Sequence, residues 1–260
     1  MSDTATAEDR CRGVLVGLAA GDRIGGPIRM AVRLAESLLV CGGFNSADIL
    51  NRYLDWWREG AFDTGPVSDR ALALFAAGTP AQDVTLQVHR EFGGKTAGCN
   101  PAHRSSPLSM FAAISDEDLV ACAMTEAALT HYDPLAGEIA AVVNKLCRSL
   151  IRGVSWDNAV SVCSEYTEQD GQGNNGGYAL DVLRAALYFV GSSSTFAESL
   201  EGSLVFAGPA NYCPVLVGAI GGTRWGASAI PQASLAHADL LSQVNATATA
   251  LAAGWAKSGD

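Results

Sequence analysis

Apolar residues recur along most of the chain at intervals of three and four, the spacing of one face of an α-helix. Near the start of the chain, such a stripe consists of Cys11, Val14, Leu15 and Leu18. The glycine at position 21 predicts the end of this first helix. Alternation of apolar and polar residues, which is typical of a half-buried strand, is weak and confined to residues 85–89. The hydrophobic pattern therefore predicts an all-α protein.

Residues that favour helix N-termini precede several of these stripes. Asp133 followed by Pro134 predicts the start of a helix that Gly153 ends. Its apolar stripe consists of Leu135, Ile139, Val142, Val143, Leu146 and Leu150. Ser115 and Thr195 each have an acidic residue three positions later, which is the spacing of a capping box. These signals predict three further helix starts with defined caps.

The remaining predicted helices fill most of the chain. One is capped by Ser46 and ends before Gly60, and the others cover residues 30–40, 155–166, 178–190, 213–225 and 234–255. Residues 93–107 and 169–177 are rich in Gly, Asn and small polar residues, so we expect irregular structure there. Helical patterns flank both segments directly, and neither segment resembles an interdomain linker. We expect one domain over residues 1–260.

Composition narrows the classes of function. Hydrophobic residues make up 48% of the chain and charged residues 17%, which indicates a folded globular protein. A formal charge of −10 disfavours a nucleic-acid partner, because that binding depends on clustered Lys and Arg. No signal peptide or membrane-spanning stretch is visible in the sequence. We therefore expect a cytoplasmic protein that binds a small molecule, with no nucleic-acid or membrane partner, and its oligomeric state stays open.

The seven cysteines are widely scattered and include no Cys-x-x-Cys pair, so they form neither a disulfide framework nor a zinc motif. A cysteine hydrolase would need a pair such as Cys213 with His131, or Cys99 with His103. No motif supports either pair, and a buried, unreactive thiol is the expected state of these cysteines.

Six motifs along the chain occur in an order that resembles the ADP-ribosylglycohydrolase family, which includes the dinitrogenase-reductase-activating glycohydrolase. The motifs are GVLVGLAAGDRIGGP (13–27), RLAESLL (33–39), YLDWWREGAFDTG (53–65), THYDPLAGE (130–138), GGYALDVLRAAL (176–187) and GAIGGTRWG (218–226). The resemblance covers about residues 11–226. It implies a compact bundle of orthogonally packed helices, in agreement with the all-α prediction.

The resemblance also implies a reaction and a metal site, but this sequence departs from the family pattern at the metal-binding positions. Family members hydrolyse the N-glycosidic bond between ADP-ribose and an acceptor such as an arginine side chain, using two divalent metals. Residues 25–28 (GGPI) stand where the family has Thr-Asp-Asp-Thr, and residues 208–212 (GPANY) stand where it has Gly-Asp-x-Asp-Thr. Magnesium and manganese need hard oxygen ligands, and Asn211 alone cannot replace the lost carboxylates. We therefore expect no metal site and no cofactor.

Other family positions are retained. By the resemblance, Asp63 matches the aspartate thought to act as acid/base, and His131 matches a histidine that lines the ligand cleft. The predicted substrate-binding residues are Asn100, Arg104, Tyr178 and Asn211. Four of these residues also have a structural explanation: Asp63 can end a helix, His131 lies beside an N-cap, Tyr178 can belong to the core, and an arginine in a loop, such as Arg104, is usually solvated.

Three hypotheses about function follow. The first is a metal-independent hydrolase of an N-ribosyl bond in an ADP-ribosyl or nucleotide-derived small metabolite, with Asp63 as general base and His131 orienting substrate or water. The second is an inactive relative that binds ADP-ribose or a related nucleotide as a sensor or regulator. The third is a cleft recruited for unrelated small-molecule chemistry. Loss of the metal carboxylates favours the last two over an ordinary family hydrolase, because two cations stabilise transition-state charge strongly. An oxocarbenium ion can also be reached without metal, given one well-placed carboxylate and a good leaving group. We therefore place the metal-independent hydrolase first.

Overall fold

The computed structural model describes residues 5–167 and 176–256, and the regular elements in those ranges are helices. The α-helices are α1 (Ala7–Gly21), α2 (Gly26–Cys41), α3 (Ser46–Arg58), α4 (Pro66–Ala76), α5 (Ala81–Glu91), α6 (Asn100–Arg104), α7 (Pro107–Met110), α8 (Asp116–Ala128), α9 (Pro134–Ile151), α10 (Trp156–Ala159), α11 (Ala179–Ser192), α12 (Phe196–Ala207), α13 (Cys213–Trp225) and α14 (Leu241–Ala252). Short 3-10 helices cover Val160–Tyr166, Ala227–Ala229, Gln232–Ser234 and Ala253–Trp255. The all-α prediction is confirmed. No helix within the described ranges is long and apolar enough to cross a membrane.

Helix α1 is enclosed by other helices. All of residues 13–21 are buried, whereas the sequence pattern predicted a single apolar stripe. Its closest neighbour is α13, because a Cβ on Gly17 would lie 2.1 Å from the carbonyl oxygen of Gly218. A Cβ on Gly13 would lie 2.0 Å from the carbonyl oxygen of Gly222. The two backbones are therefore in direct contact, which only glycine permits.

Helix α9 forms the core on the other side of α13. Five residues of its predicted stripe are buried, and they are Ile139, Val142, Val143, Leu146 and Leu150. They pack in one hydrophobic cluster with residues of α11 and α13. The Oδ1 atom of Asp133 accepts a hydrogen bond of 3.0 Å from the backbone N–H of Leu135, so the predicted N-cap is confirmed.

Two other predicted caps are confirmed, and one is displaced. The hydroxyl of Ser115 accepts a hydrogen bond from the backbone N–H of the residue three positions later, and Thr195 does the same. Helix α3 is capped by Asn45, one residue before the predicted Ser46, because the Asn45 side chain accepts from the N–H of Asp48. Asparagine and serine are about equally good caps, so sequence alone does not choose between neighbours.

The strand predicted for residues 85–89 is wrong, because this segment lies within α5. Val84 and Val88 are four residues apart and both are buried in one cluster, so the helical spacing outweighs a short alternation. Residues 93–107 are also less irregular than predicted, since they contain α6, which has Pro101 in its first turn. Proline favours this position because the N–H it lacks would have no helical partner there.

Several predicted boundaries also shift. Helix α2 begins at Gly26, four residues earlier than predicted, and α14 begins at Leu241, seven residues after position 234. The helix predicted for residues 155–166 is α-helical only over Trp156–Ala159 and continues as a 3-10 helix. Most of the irregular segment predicted at 169–177, namely residues 169–175, lies outside the described residues.

Candidate functional site

Two adjoining cavities form one cleft. We call the first the acidic cavity, and it has a volume of about 570 Å³. Its charged and polar lining side chains include Asp63, Asp69, Asn100, His103 and Asn211. We call the second the aromatic cavity, and it has a volume of about 490 Å³. Its ring-bearing lining residues include Phe92, His131, Tyr178 and Tyr212. Both cavities are lined by Gly65, Pro66, Asn100 and Tyr212, so these residues form the wall that the cavities share.

Asp63 lies in the loop between α3 and α4 in an unusual backbone conformation. Its φ of 52° makes it the one non-glycine residue with positive φ in the described part of the chain. This left-handed conformation costs on the order of 1 kcal/mol and persists where neighbours hold it. Gly26 is one such neighbour, because a Cβ there would lie 2.4 Å from the carbonyl oxygen of Asp63. Asn100 is another, since its Nδ2 donates a hydrogen bond of 3.0 Å to the carbonyl of Thr64.

The Asn211 side chain joins two carboxylates. Its Nδ2 donates to Oδ2 of Asp63 at 3.0 Å and to Oδ1 of Asp22 at 2.7 Å, so both amide hydrogens are used. Its Oδ1 accepts a hydrogen bond of 3.1 Å from the backbone N–H of Arg23. Asp22 is fully buried, and it also accepts from the N–H groups of Gly25 and Ile28. The turn after α1 is therefore connected by hydrogen bonds to the wall of the acidic cavity.

The surroundings of Asp63 favour its neutral form. Burial raises the pKa of the Asp63 carboxyl above its ordinary value, and the negative charge of Asp22 acts in the same direction. The hydrogen bonds from the Asn211 amide and the Gly26 backbone partly oppose this rise in pKa. A carboxyl with a raised pKa accepts a proton more readily than an exposed aspartate, which suits general-base chemistry.

The described residues do not fit the family's two-metal site. Within residues 5–167 and 176–256 there is no group of three or more His, Cys, Asp or Glu side chains placed to hold a metal ion. The closest arrangement is Asp22 with Asp63, and the NH₂ group of Asn211 donates to both of them. Magnesium and manganese prefer about six oxygen ligands, and an amide nitrogen that donates hydrogen bonds is not a ligand.

The structure places Arg104 in the core instead of the cleft. Its side chain is 1% exposed, and its Nε lies 2.6 Å from Oε1 of Glu126, which is fully buried. It also donates to the hydroxyls of Ser68 and Thr130, and its guanidinium lies over the ring of Tyr53. The predicted ligand contact of Arg104 is therefore not supported, because its donors are directed at these buried groups.

His131 lines the aromatic cavity, so it lies apart from Asp63 in the acidic one. Its Nδ1 lies 2.8 Å from the hydroxyl oxygen of Thr130, which accepts a hydrogen bond from Arg104. The Nε2 atom of His131 has no partner among the described residues. Burial holds the pKa of His131 well below its usual range, so the ring is neutral and carries one N–H and one lone pair.

The other two predicted binding residues have accessible positions in the cleft. Asn100 lies in the wall shared by both cavities. Tyr178 precedes α11 and is 46% exposed, and its backbone pairs with Gly98 in an isolated bridge. Its ring is therefore a surface of the aromatic cavity, and it is not a core aromatic.

Two cleft residues were not identified from the sequence as ligand contacts. Tyr212 lies where the family motif has threonine, and its ring packs against Gly177 at the junction of the cavities.

The second residue, His103, was considered from the sequence only as a partner for Cys99 in a cysteine hydrolase. Burial raises the pKa of the Cys99 thiol to about 12 and that of Cys213 equally, so neither thiol is a nucleophile at neutral pH.

Comparison with known proteins gives a consistent result. The sequence profile of the ADP-ribosylglycohydrolase family matches residues 3–259. The chain is 24% identical to the ADP-ribosylarginine hydrolase Tri1 of Serratia proteamaculans (strain 568), over 86% of this chain and 74% of that protein. It is also 24% identical to the protein of the same name from Pseudomonas putida (strain GB-1), over 86% of this chain and 73% of that one.

A solved structure described as an ADP-ribosylglycohydrolase-related protein complex has a similar fold. The two superpose with a TM-score of 0.78 at 26% identity, over 95% of this chain and 98% of that chain. The helical architecture, the order of the motifs and the match over nearly the whole sequence agree with one another. This chain belongs to the ADP-ribosylglycohydrolase family.

Proposed function

We propose that this protein is a metal-independent hydrolase that cleaves an N-ribosyl bond in an ADP-ribosyl or other nucleotide-derived small metabolite. Family membership and the two relatives named ADP-ribosylarginine hydrolase support an activity of the glycohydrolase type. The observation that carries the proposal is the position of Asp63. Its backbone is strained, and its half-buried carboxyl lines the acidic cavity with Oδ2 held by Asn211.

In the proposed reaction, Asp63 acts as the general base. A water molecule transfers a proton to the Asp63 carboxylate while its oxygen attacks the anomeric carbon of the ribose. The bond between that carbon and nitrogen breaks, and its electron pair leaves with the nitrogen, which takes up a proton from solvent to form the free amine or guanidine. Asp63 then releases its proton to solvent and returns to the carboxylate form. The transition state resembles an oxocarbenium ion, and a nearby carboxylate stabilises its positive charge.

Asn211 supports this reaction by controlling two neighbouring carboxylates. Asp22 and Asp63 share one amide group, and without a donor between them their charges would repel each other. The amide holds Oδ2 of Asp63, and in this proposal the other oxygen of the carboxyl takes the proton of the attacking water. In this proposal, a neutral side chain takes over part of the positioning that cations perform in relatives.

The aromatic cavity is the proposed site for the nucleotide part of the substrate. The exposed ring of Tyr178 offers a face on which a base can stack. The neutral ring of His131 has an unpartnered Nε2, which in this proposal bonds to a polar atom of the ligand and thereby orients the substrate. Asn100, in the shared wall, is placed to contact the ligand where it passes from one cavity to the other.

The test is hydrolysis of ADP-ribosylarginine by the Asp63→Asn variant. We expect the variant to lose turnover by at least a hundredfold while it binds ADP-ribose and unfolds at a temperature close to that of wild type. Asp181→Asn is the matched control, since Asp181 lies on α11 and is not among the residues that line the cleft. Unchanged turnover in Asp63→Asn would refute the role of Asp63. Binding without turnover in wild type would favour a nucleotide-binding regulator instead.

A further inference from the structure

His103 is a buried polar residue of the acidic cavity that the proposed reaction does not use. It lies on α6 and is 2% exposed, and it lines the cavity together with Asp63 and Asn211. Its Nε2 atom has no hydrogen-bond partner among the described residues. Leaving such an atom unsatisfied destabilises a folded protein, so an unpartnered nitrogen in a cavity wall indicates a group that a ligand completes.

The hydrogen-bond chemistry of this ring is defined by its surroundings. Burial lowers the pKa of His103 to about 4, so the ring is neutral at neutral pH. The backbone of Tyr212 acts on the ring in the opposite direction and favours its protonation. A neutral imidazole carries one N–H and one lone pair, and with its hydrogen on Nδ1 the unpartnered Nε2 is an acceptor.

The rest of the acidic cavity is also rich in acceptors. Asp63 and Asp69 contribute carboxylate oxygens, and both hydrogens of the Asn211 amide are already used. No Lys or Arg is found among the described residues of its lining. A ligand group with several donors of its own complements this part of the lining.

We propose that Nε2 of His103 accepts a hydrogen bond from a hydroxyl or N–H group of the ligand and that His103 thereby helps to determine specificity for a donor-rich group. This rests on the proposed function in taking the ligand to be an N-ribosyl compound. Such a compound has two donor-rich parts, the ribose with its hydroxyls and a leaving group such as a guanidinium. Both present the same chemistry to Nε2, and the experiment separates them.

The test combines binding and stability measurements on three variants. His103→Met removes the acceptor and retains an apolar side chain of similar length, and His103→Gln retains an acceptor oxygen. The matched control is His89→Met, since the His89 ring bonds to Thr96 and is not among the residues that line either cavity. Calorimetry with ADP-ribose and with agmatine, which carries a guanidinium, gives the affinities, and thermal unfolding without ligand gives the stability.

We expect His103→Met to unfold at the same temperature as wild type or higher, because an unsatisfied polar atom is gone. Its affinity for at least one probe should fall roughly three- to tenfold, and His103→Gln should recover most of that loss. A loss confined to ADP-ribose identifies a ribose hydroxyl as the donor, and a loss confined to agmatine identifies the guanidinium.

Three results would overturn the proposal: neither probe binds wild type, both affinities are unchanged in His103→Met, or His103→Gln recovers nothing. Probe binding by wild type without any turnover would refute the proposed hydrolase and leave the role of His103 intact. The two failures are therefore distinguishable.

Discussion

The side-chain amide of Asn211 donates a hydrogen bond to the carboxylate of Asp63 across 3.0 Å, and its second hydrogen goes to Asp22 at 2.7 Å. In the family motif this part of the chain carries carboxylates that hold metal ions. A neutral donor between two acidic groups restrains their positions and reduces their mutual repulsion, without the charge that a cation supplies. In the proposed function, Asn211 is therefore a positioning residue for Asp63.

The first prediction concerns the pH dependence of turnover. A general base must be ionised, so activity is present above the pKa of Asp63 and is lost as the pH falls through it. Burial raises the pKa of Asp63, and the hydrogen bond from Asn211 opposes that rise. Asn211→Ala should therefore raise the pKa of Asp63 further and move the acid limb of the profile of kcat/KM against pH to higher pH.

The control for this prediction is Asn245→Ala on α14, where the asparagine bonds only to a carbonyl of its own helix among the described residues. That variant should keep the wild-type profile. An acid limb that stays in place in Asn211→Ala would mean that Asn211 does not act on Asp63.

The second prediction concerns Tyr178. If a base stacks on its exposed ring, Tyr178→Ala should weaken ADP-ribose binding by about 1–3 kcal/mol with little change in stability. Tyr188→Ala is the matched control, because Tyr188 is similarly exposed on α11 and is not among the residues that line the cleft. Calorimetric titration with ADP-ribose measures the affinity of each variant. Equal affinity of Tyr178→Ala and wild type would remove the stacking role.

The third prediction concerns the buried ion pair of Arg104 and Glu126. Removing one partner of such a pair leaves an uncompensated charge in the core, so Arg104→Met should lower the free energy of unfolding by about 3–5 kcal/mol. Arg58→Met, which breaks an exposed pair with Asp55, should lower it by less than about 1 kcal/mol. Denaturant titration measures both values. If Arg104→Met keeps the stability of wild type but loses ligand affinity, the prediction is wrong and Arg104 contacts the ligand.

The sequence was sufficient to predict the helical architecture, because that architecture depends on local periodicity and on caps such as Asp133. The strand predicted at 85–89 was wrong because the periodicity of so few residues cannot distinguish a strand from a helix. The burial of every residue from 13 to 21 in α1 was not predictable from its apolar stripe, since it depends on contact between Gly17 and Gly218, about two hundred residues apart in the chain.

The candidate site was predictable only in part. Asp63, His131, Asn100, Tyr178 and Asn211 were named from the family motifs, and the structure places them around one cleft. Arg104 was named as well, but its partner Glu126 could not be recognised because a buried pair depends on the tertiary fold. His103 gave no sequence signal for a cleft role, since an isolated histidine is common and its unpartnered Nε2 exists only in the folded protein.

The most direct test of the central claim is the rate at which wild-type protein hydrolyses ADP-ribosylarginine in excess EDTA and again in excess Mg²⁺. The account predicts the same rate in both conditions, because the proposed reaction uses Asp63, held by Asn211, and no cation. Hydrolysis that requires Mg²⁺ would contradict the metal-independent mechanism, and the absence of hydrolysis in both conditions would contradict the proposed reaction itself.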